Sequence, residues 1–580
     1  MKKQDCLASV RFHHLCRSAN DEKAFKKMNI IPRLVIVALL TTFSLNSVAS
    51  ELYLLPPVTT PAVINQVDYE IASNEPTFPT PEKLPLSEYV EKEWTAIQFP
   101  EEKAPFCWEL AEALPTALTW PNKPLGHLFE SLLFTEHDKL KTDLDEEPIG
   151  LQPIPSRPPL ILELNEKFLD SGFLSQGVEL PTGAVWRPSL WVFGQFRTAL
   201  QYFDNRGPTT PVAESASRLD LFGQVNLSST ERLLIGLRPL DEELATRREF
   251  TSYDFNLDRT LDGWNADFQT LFFEGDFGEI FPWLDPYDSK LLDLGFSVGR
   301  MPLLAQQGLL INEDMIDAVT VTRNTLNGHG NLNLRMTGVY AWNRLNRNSP
   351  TTEPNTLDPG SKMVALLTES DFACSTVNLD VAYAYGDPAF GDLIAFGVSD
   401  IRRIHGYHNT YNTSLHVLAS FPTDGTTPFA GQGELLFAQT SWTPHHTEDL
   451  TYVNAFLAID QFTSPTRGPL MGGPLGQTGI VFAAPGVGRA GAPVPVRTNN
   501  TAGASLGYQF FFDHTRRQLI LELGGQKEIE GSQNQGAIAT VVRYQQALGQ
   551  HFIWVCDGFV GKREGVGVSQ GVRGEILVKF

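Results

Sequence analysis

The chain has 580 residues, with 45 Lys and Arg against 67 Asp and Glu, giving a formal net charge of −22. This acidic balance argues against a nucleic-acid partner, because a phosphate backbone needs a basic face. No run of about 18 apolar residues occurs, so the chain has no helix that could span a bilayer, and its five cysteines have no metal-ligand spacing. A transmembrane barrel stays open, because its strands alternate between lipid and lumen and average to a polar composition.

The N-terminus points to export. Residues 34–43 (LVIVALLTTF) form an apolar run behind Lys26, Lys27 and Arg33, and Ser47-Val48-Ala49 supplies the small residues that a signal peptidase requires. The run is too short to span a bilayer. Residues 1–50 are therefore read as a signal region, with Met28 as an alternative start and cleavage near Ala49.

Residues 51–188 differ in kind from the rest of the chain. The segment 51–190 holds 19 of the 39 prolines and carries 23 acidic against 9 basic residues. Proline at this density removes backbone donors and fixes φ, which disfavours long sheets and helices. PPVTTP, FPTPEKLP and PIPSRPP read as extended linker. Phe106–Leu118 and Leu125–Leu140 carry apolar residues near helical spacing and read as short helices. The expectation is a partly helical, acidic periplasmic extension.

From Ser189 the hydrophobic pattern has period two. Between Leu190 and Tyr202, one face carries Leu190, Val192, Phe196, Leu200 and Tyr202, and the other Gln195, Arg197 and Gln201. The same dyad recurs in Arg218–Leu227, Asn331–Trp342, Thr376–Tyr385, Ser414–Phe421, Ser505–Phe512 and Gln518–Leu523. A long series of such strands, many ending in an aromatic residue, matches lipid-facing strands with aromatic girdles. Short connections (Ser228–Glu231, Asn327–Gly330, Asp513–Arg516, Leu548–Gln550) contrast with longer ones (Asp204–Ala216, Asn343–Gly360, Ser464–Asn500), which is the asymmetry of an outer-membrane barrel. Residues 189–580 are expected to form an all-β, antiparallel transmembrane barrel of about 16–18 strands at roughly 22 residues per strand and connection.

The chain ends on a strand. Val572, Ile576, Val578 and Phe580 share one face, opposite Arg573, Glu575 and Lys579. Ile576, Val578 and the terminal Phe580 together read as the signal for the barrel-assembly machinery. Because an arginine or lysine on the lipid face costs about 2–4 kcal/mol at the midplane, strand charges are forced inward. Arg197, Arg218, Asp220, Arg335, Asp380, Glu522, Arg543, Arg573 and Glu575 are the candidate pore-lining residues. The long connection Ser464–Asn500 has low charge and an apolar centre, Ile480-Val481-Phe482-Ala483-Ala484, and is expected to fold inward and narrow the pore.

The stretch GRMPLLAQQGLLINEDMIDAVTVTR (Gly299–Arg323) resembles a segment of alginate-export-type outer-membrane porins, in which a Gly-Arg strand end leads through a loop to an Asp-Ala-Val strand start. Trp191–Asp204 and Arg218–Pro239 are similar in style. The resemblance covers the C-terminal two-thirds and implies a barrel of roughly 18 strands that passes small or polymeric polar solutes. The acidic Pro-rich region and the mixed rather than arginine-dominated inward charges are this chain's own.

No enzyme signature is read. His405-x-x-His408 and His445-His446 fall in turns without partners spaced for a tetrahedral metal site, Gly561-Lys562 lacks the Walker spacing, and no nucleophile elbow or haem motif is identified. No cofactor or metal is expected. The partners implied are outer-membrane lipid, the assembly machinery, a polar solute and a periplasmic protein. A second reading is a structural barrel that sheathes a periplasmic or electron-carrying partner.

Overall fold

The computed structural model describes residues 159–580, apart from short stretches lying mostly in connections, the longest being 169–174, 206–210, 242–249, 285–291, 348–355, 467–478 and 532–535. The signal region and the two helices expected between residues 106 and 140 lie outside the described residues.

One antiparallel sheet of 21 strands dominates the structure. Three strands are short: Leu162–Leu164, Thr251–Asp254 and Arg259–Leu261. The other 18 close into a barrel. They are β1 (Ser189–Asp204), β2 (Val212–Asn226), β3 (Arg232–Leu237), β4 (Phe268–Asp276), β5 (Leu294–Ala305) and β6 (Ile311–Leu326). Next come β7 (Asn333–Asn343), β8 (Lys362–Asp371), β9 (Ser375–Tyr385), β10 (Leu393–His405), β11 (Thr410–Pro422) and β12 (Gly433–Trp442). The last six are β13 (Leu450–Gln461), β14 (Asn499–Phe512), β15 (Arg517–Glu528), β16 (Ala537–Leu548), β17 (Phe552–Arg563) and β18 (Gly567–Lys579).

Each strand pairs with its chain neighbour, and β18 pairs with β1 from Gln570↔Asp204 to Lys579↔Gln195. Closure continues to the last residue: Gly194 donates its N–H to the Phe580 carbonyl (2.7 Å), and Phe580 donates back to Gly194 (3.1 Å). Beyond that point Leu162–Leu164 takes over the edge of β1 at Leu190–Val192. Part of the segment read as an extension thus belongs to the sheet. The third strand is interrupted: β3 flanks Leu221–Asn226 of β2, and Thr251–Asp254 continues beside Glu214–Ser217.

The observed strands are longer than the alternation indicated. β2 starts at Val212 rather than Arg218, so the connection after β1 is shorter than expected; Ser215 and Ser217, small and polar on the outer face, hide the dyad there. Gly299-Arg300 and Asp317-Ala318-Val319 lie inside β5 and β6, facing each other across the register, and are not a strand end and a strand start. The turn is at Gln306–Gly308, displaced by a bulge between Met301 and Leu303 that breaks the period.

The rim that carries both Ser189 and Phe580 has mostly tight turns, such as 372–374, 406–409, 513–516 and 549–551, while the far rim carries 238–267, 344–361 and 462–498. The two faces of the barrel invert the rule for soluble proteins. Leu200, Leu379, Leu523, Val560, Val572 and Ile576 are exposed outward, while Asp220, Asp380, Glu522, Arg573 and Glu575 are buried inward. An exposed apolar girdle of this extent needs lipid around it, and a closed barrel leaves no backbone edge unpaired in the hydrocarbon. Val572 sits mid-strand on that girdle. Val572→Arg is expected to lower the unfolding free energy by about 2–4 kcal/mol in urea titrations of the protein refolded into lipid vesicles; a loss of only a few tenths would remove Val572 from the hydrocarbon.

Candidate functional site

The connection between β13 and β14 does not extend outward. Its described residues past 478 (479–484, 486–495 and 497–498) enter the barrel and are tied to the wall at several points. At its start, the backbone N–H groups of Ile480 and Val481 donate to the Glu522 carboxylate of β15 (3.0 and 2.8 Å), which also accepts from the Tyr452 hydroxyl of β13. Val481 and Phe482 are fully buried, and the Phe482 ring stands edge-on to Phe456. Burying side chains of this size is worth about 1.5–3 kcal/mol each. The segment then folds on itself, Val494 donating to the Val481 carbonyl at 2.9 Å.

Its far end is held by charge. Arg489 donates from its backbone N–H and from Nε to Glu214 of β2 (both 2.6 Å), and from a terminal nitrogen to Asp254 (2.6 Å). Burial opposes the charge of Arg489, but the bonds to Glu214 and Asp254 outweigh it and hold the guanidinium above its ordinary range. Arg563 of β17 reaches the carbonyls of Ala492 and Pro493 (2.8 and 3.0 Å). Close approach demands glycine at Gly488, where φ is +106° and a Cβ would fall 1.9 Å from the Gln201 amide. At Gly486 a Cβ would lie 2.5 Å from the Arg573 guanidinium. One connection therefore follows the inner wall from β13 round to β2.

A second inward element covers the opposite wall. Gln306, in the turn between β5 and β6, donates to Asp380 of β9 (2.8 Å) and meets His416 Nδ1 of β11 at 3.0 Å. Leu309 and Leu310 are fully buried in an apolar cluster with Ala382, Ala395, Leu418 and Phe437. Ser464 Oγ donates to the Leu309 carbonyl (3.1 Å), so the two inward segments touch.

The candidate residues fall into three groups. Arg543, Arg573, Glu575, Arg197, Arg218 and Asp220 form one continuous belt across β16–β18, β1 and β2. Arg543 donates to Asp557 (2.5 Å), Asp557 accepts from Arg573 (2.6 Å), Arg573 pairs with Glu575, and Glu575 accepts from Arg197 (2.6 Å). Asp220 accepts from Arg218 (2.8 Å) and Arg238 (2.7 Å). Asp380 and Glu522 instead hold the two inward connections. Arg335 stands apart near the terminal rim, paired with Glu369 at 3.0 Å.

Sequence reading missed Asp557, Glu214, Arg238 and Arg489. Even steps back from Asp220 and Arg218 reach Glu214, and the register from Arg573 reaches Asp557. Arg489 could not be placed that way, because it lies on no strand. Reading also overlooked that Gly503-Ala504-Ser505-Leu506-Gly507 spells G-x-S-x-G. It runs straight through β14 rather than a strand-to-helix turn, so it builds no nucleophile elbow. Among the described residues, no group of three or more His, Cys, Asp or Glu side chains could hold a metal ion.

An 18-strand closed barrel, apolar outside and charged inside, with connections folded into its bore, defines a transmembrane β-barrel of the outer-membrane type. No family model matches the chain, and no curated protein matches it in sequence. Solved structures similar in fold include OccK11 (OpdR) of Pseudomonas aeruginosa, at 9% identity over 67% of this chain and 96% of that one (TM-score 0.44). OccK5 (OpdH) of the same organism is similar at 8% identity over 67% and 98% (TM-score 0.47), and Acinetobacter baumannii OccAB3 at 9% over 67% and 99% (TM-score 0.44).

Glu522→Ala is expected to leave two buried backbone donors unpaired, at about 1–3 kcal/mol each, and to free the inward connection. Single-channel conductance in planar bilayers should rise and become noisier with the strand circular dichroism unchanged. An unaltered trace would show that the Glu522 bonds do not hold the constriction.

Proposed function

We propose that the protein is a passive channel for small polar solutes and that its bore favours organic anions. The carrying observation is an asymmetry within the charged belt. The side chains of Arg197, Arg218, Arg489 and Arg543 are 21–26% exposed, whereas those of their partners Glu575, Asp220, Glu214, Asp254 and Asp557 are at most 8% exposed. By formal charge the belt is mixed, yet the groups a solute meets are guanidinium groups. A planar fork of donors suits carboxylates and phosphates. Arg573, Asp220 and Glu575 stand behind that surface and align it.

Alginate itself lies outside this proposal: the arginine surface that supports it suits carboxylate-bearing solutes in general. Two inward connections narrow the bore, which favours small solutes. They favour this reading over the second, in which the barrel sheathes a protein partner. In this reading the rim with both termini faces the periplasm, residues 51–158 lie on that side, and Ile576, Val578 and Phe580 present the assembly signal.

Reversal potentials across a KCl gradient test the proposal. The native channel should prefer chloride, and Arg197→Glu and Arg218→Glu should each move the reversal potential toward cation preference, more at low salt than at high salt. Equal selectivity in native and variant channels would sink the anion reading while leaving the barrel intact.

A further inference from the structure

The turn between β5 and β6 is strained, yet it is held inside the bore. Gln306, Gln307 and Gly308 follow one another in the left-handed region, with φ of +53°, +53° and +82°, and only the third is a glycine. Two such residues in succession oppose the turn, and this backbone persists only where its surroundings impose it. Three contacts do so. The Gln306 amide nitrogen donates to Asp380 (2.8 Å), and its oxygen meets His416 Nδ1 (3.0 Å). Gly397 of β10 leaves room for the side chain, since a Cβ there would stand 2.6 Å from Gln306 Cγ. Leu309 and Leu310 are buried in the apolar cluster beside it.

The hydrogen bonds fix the state of the histidine. Asp380 engages the Gln306 nitrogen, so the Gln306 oxygen faces the imidazole and can only accept; His416 Nδ1 therefore carries the proton of that bond. The neutral ring keeps its lone pair on Nε2. His416 is fully buried with its ring near Phe437, and among the described residues Nε2 has no hydrogen-bond partner. A second proton there would create a buried cation without an acceptor. The neighbouring strands present Ser399 and Phe437 to His416, neither of them charged. The carboxylate within the network is Asp380, with the Glu369–Arg335 pair of β8 and β7 beyond it. Asp400 and Arg402 pair with each other on the opposite face of β10.

We infer that His416 makes this turn an acid-sensitive latch on the bore. At neutral pH the neutral imidazole holds Gln306, and through it the strained turn, against the wall. An imidazole in contact with water takes up a proton near pH 6.5, so acid favours any arrangement that brings water to Nε2. Lifting Gln306 does this, and it also lets the left-handed backbone relax and draws Leu309 and Leu310 off the wall. The bore opens as pH falls and closes again as pH rises.

The inference rests on the channel reading, and two readouts keep the two apart. In planar bilayers, stepping from about pH 7.5 to about pH 5, across the imidazole range, should raise native conductance severalfold and reversibly. His416→Gln keeps a donor toward Gln306 but cannot titrate, and should stay at the low level at both pH values. Gln306→Leu lies on the turn rather than on a strand and cannot be latched, so it should stay at the high level at both. The second readout needs no conductance: Leu310→Cys, treated with a water-soluble maleimide in the acid buffer, should be labelled severalfold faster with His416 present than in the His416→Gln background. A native channel without a pH step, a step that survives His416→Gln (which would assign it to another group, Asp380 included), or equal labelling in the two backgrounds would overturn the latch. A folded protein that conducts at neither pH would sink the channel reading instead, with the labelling still deciding the latch.

Discussion

Everything in this structure depends on the pairing of β18 with β1. Inside a bilayer an unpaired backbone N–H or carbonyl has no water to turn to and costs several kcal/mol. The register from Gln570↔Asp204 to Lys579↔Gln195, completed by the reciprocal bonds of Gly194 and Phe580, removes the two edges that an open sheet would carry. Once the sheet is a ring, its two faces become an outside and an inside, and a strict alternation of side chains acquires meaning. Outward positions must satisfy lipid, and inward positions can carry charge.

The bore then follows from a second constraint, the need to pair whatever polar group is buried inside. The charged belt meets it through alternation: Arg543, Asp557 and Arg573 stand opposite one another on three successive strands, so each carboxylate lies between two guanidinium groups. The like-charged pair Arg197 and Arg218, directly opposed on β1 and β2, is tolerated because Glu575 and Asp220 stand at its flanks. The same need fastens the inward connections. Glu522 satisfies the first backbone donors of one, and Asp380 with His416 satisfies the side-chain amide of the other. Carboxylates in this barrel act mainly as fasteners, which is why the arginines hold the more exposed positions.

Apolar packing divides the interior into two kinds of wall. From β6 to β13 the inward positions include Ala341, Ala382, Ala384, Ala395 and Ala458, small residues that let Leu309, Leu310 and Phe482 approach the sheet. From β16 through β18 to β2 the inward positions are long and charged. The chain's own connections pack against the first wall and are tied by ion pairs and hydrogen bonds to the second.

Much of the barrel was legible in the sequence because lipid enforces a period of two on every strand it touches. Thr376–Tyr385 and the terminal strand show this, and both differ from the observed elements only at their ends. Alternation also placed Arg197, Arg218, Asp220, Arg573 and Glu575 on one face before any pairing was known. It failed where the lipid constraint relaxes: at the small polar outward residues of β2, at the bulge of β5, and in the connection that carries Arg489. Which charges pair with which, and which of them stay exposed, was decided only by the tertiary structure. Register and closure bring together residues as distant as Arg197 and Glu575, or Glu214 and Arg489, and a local period carries no information about partners on other strands.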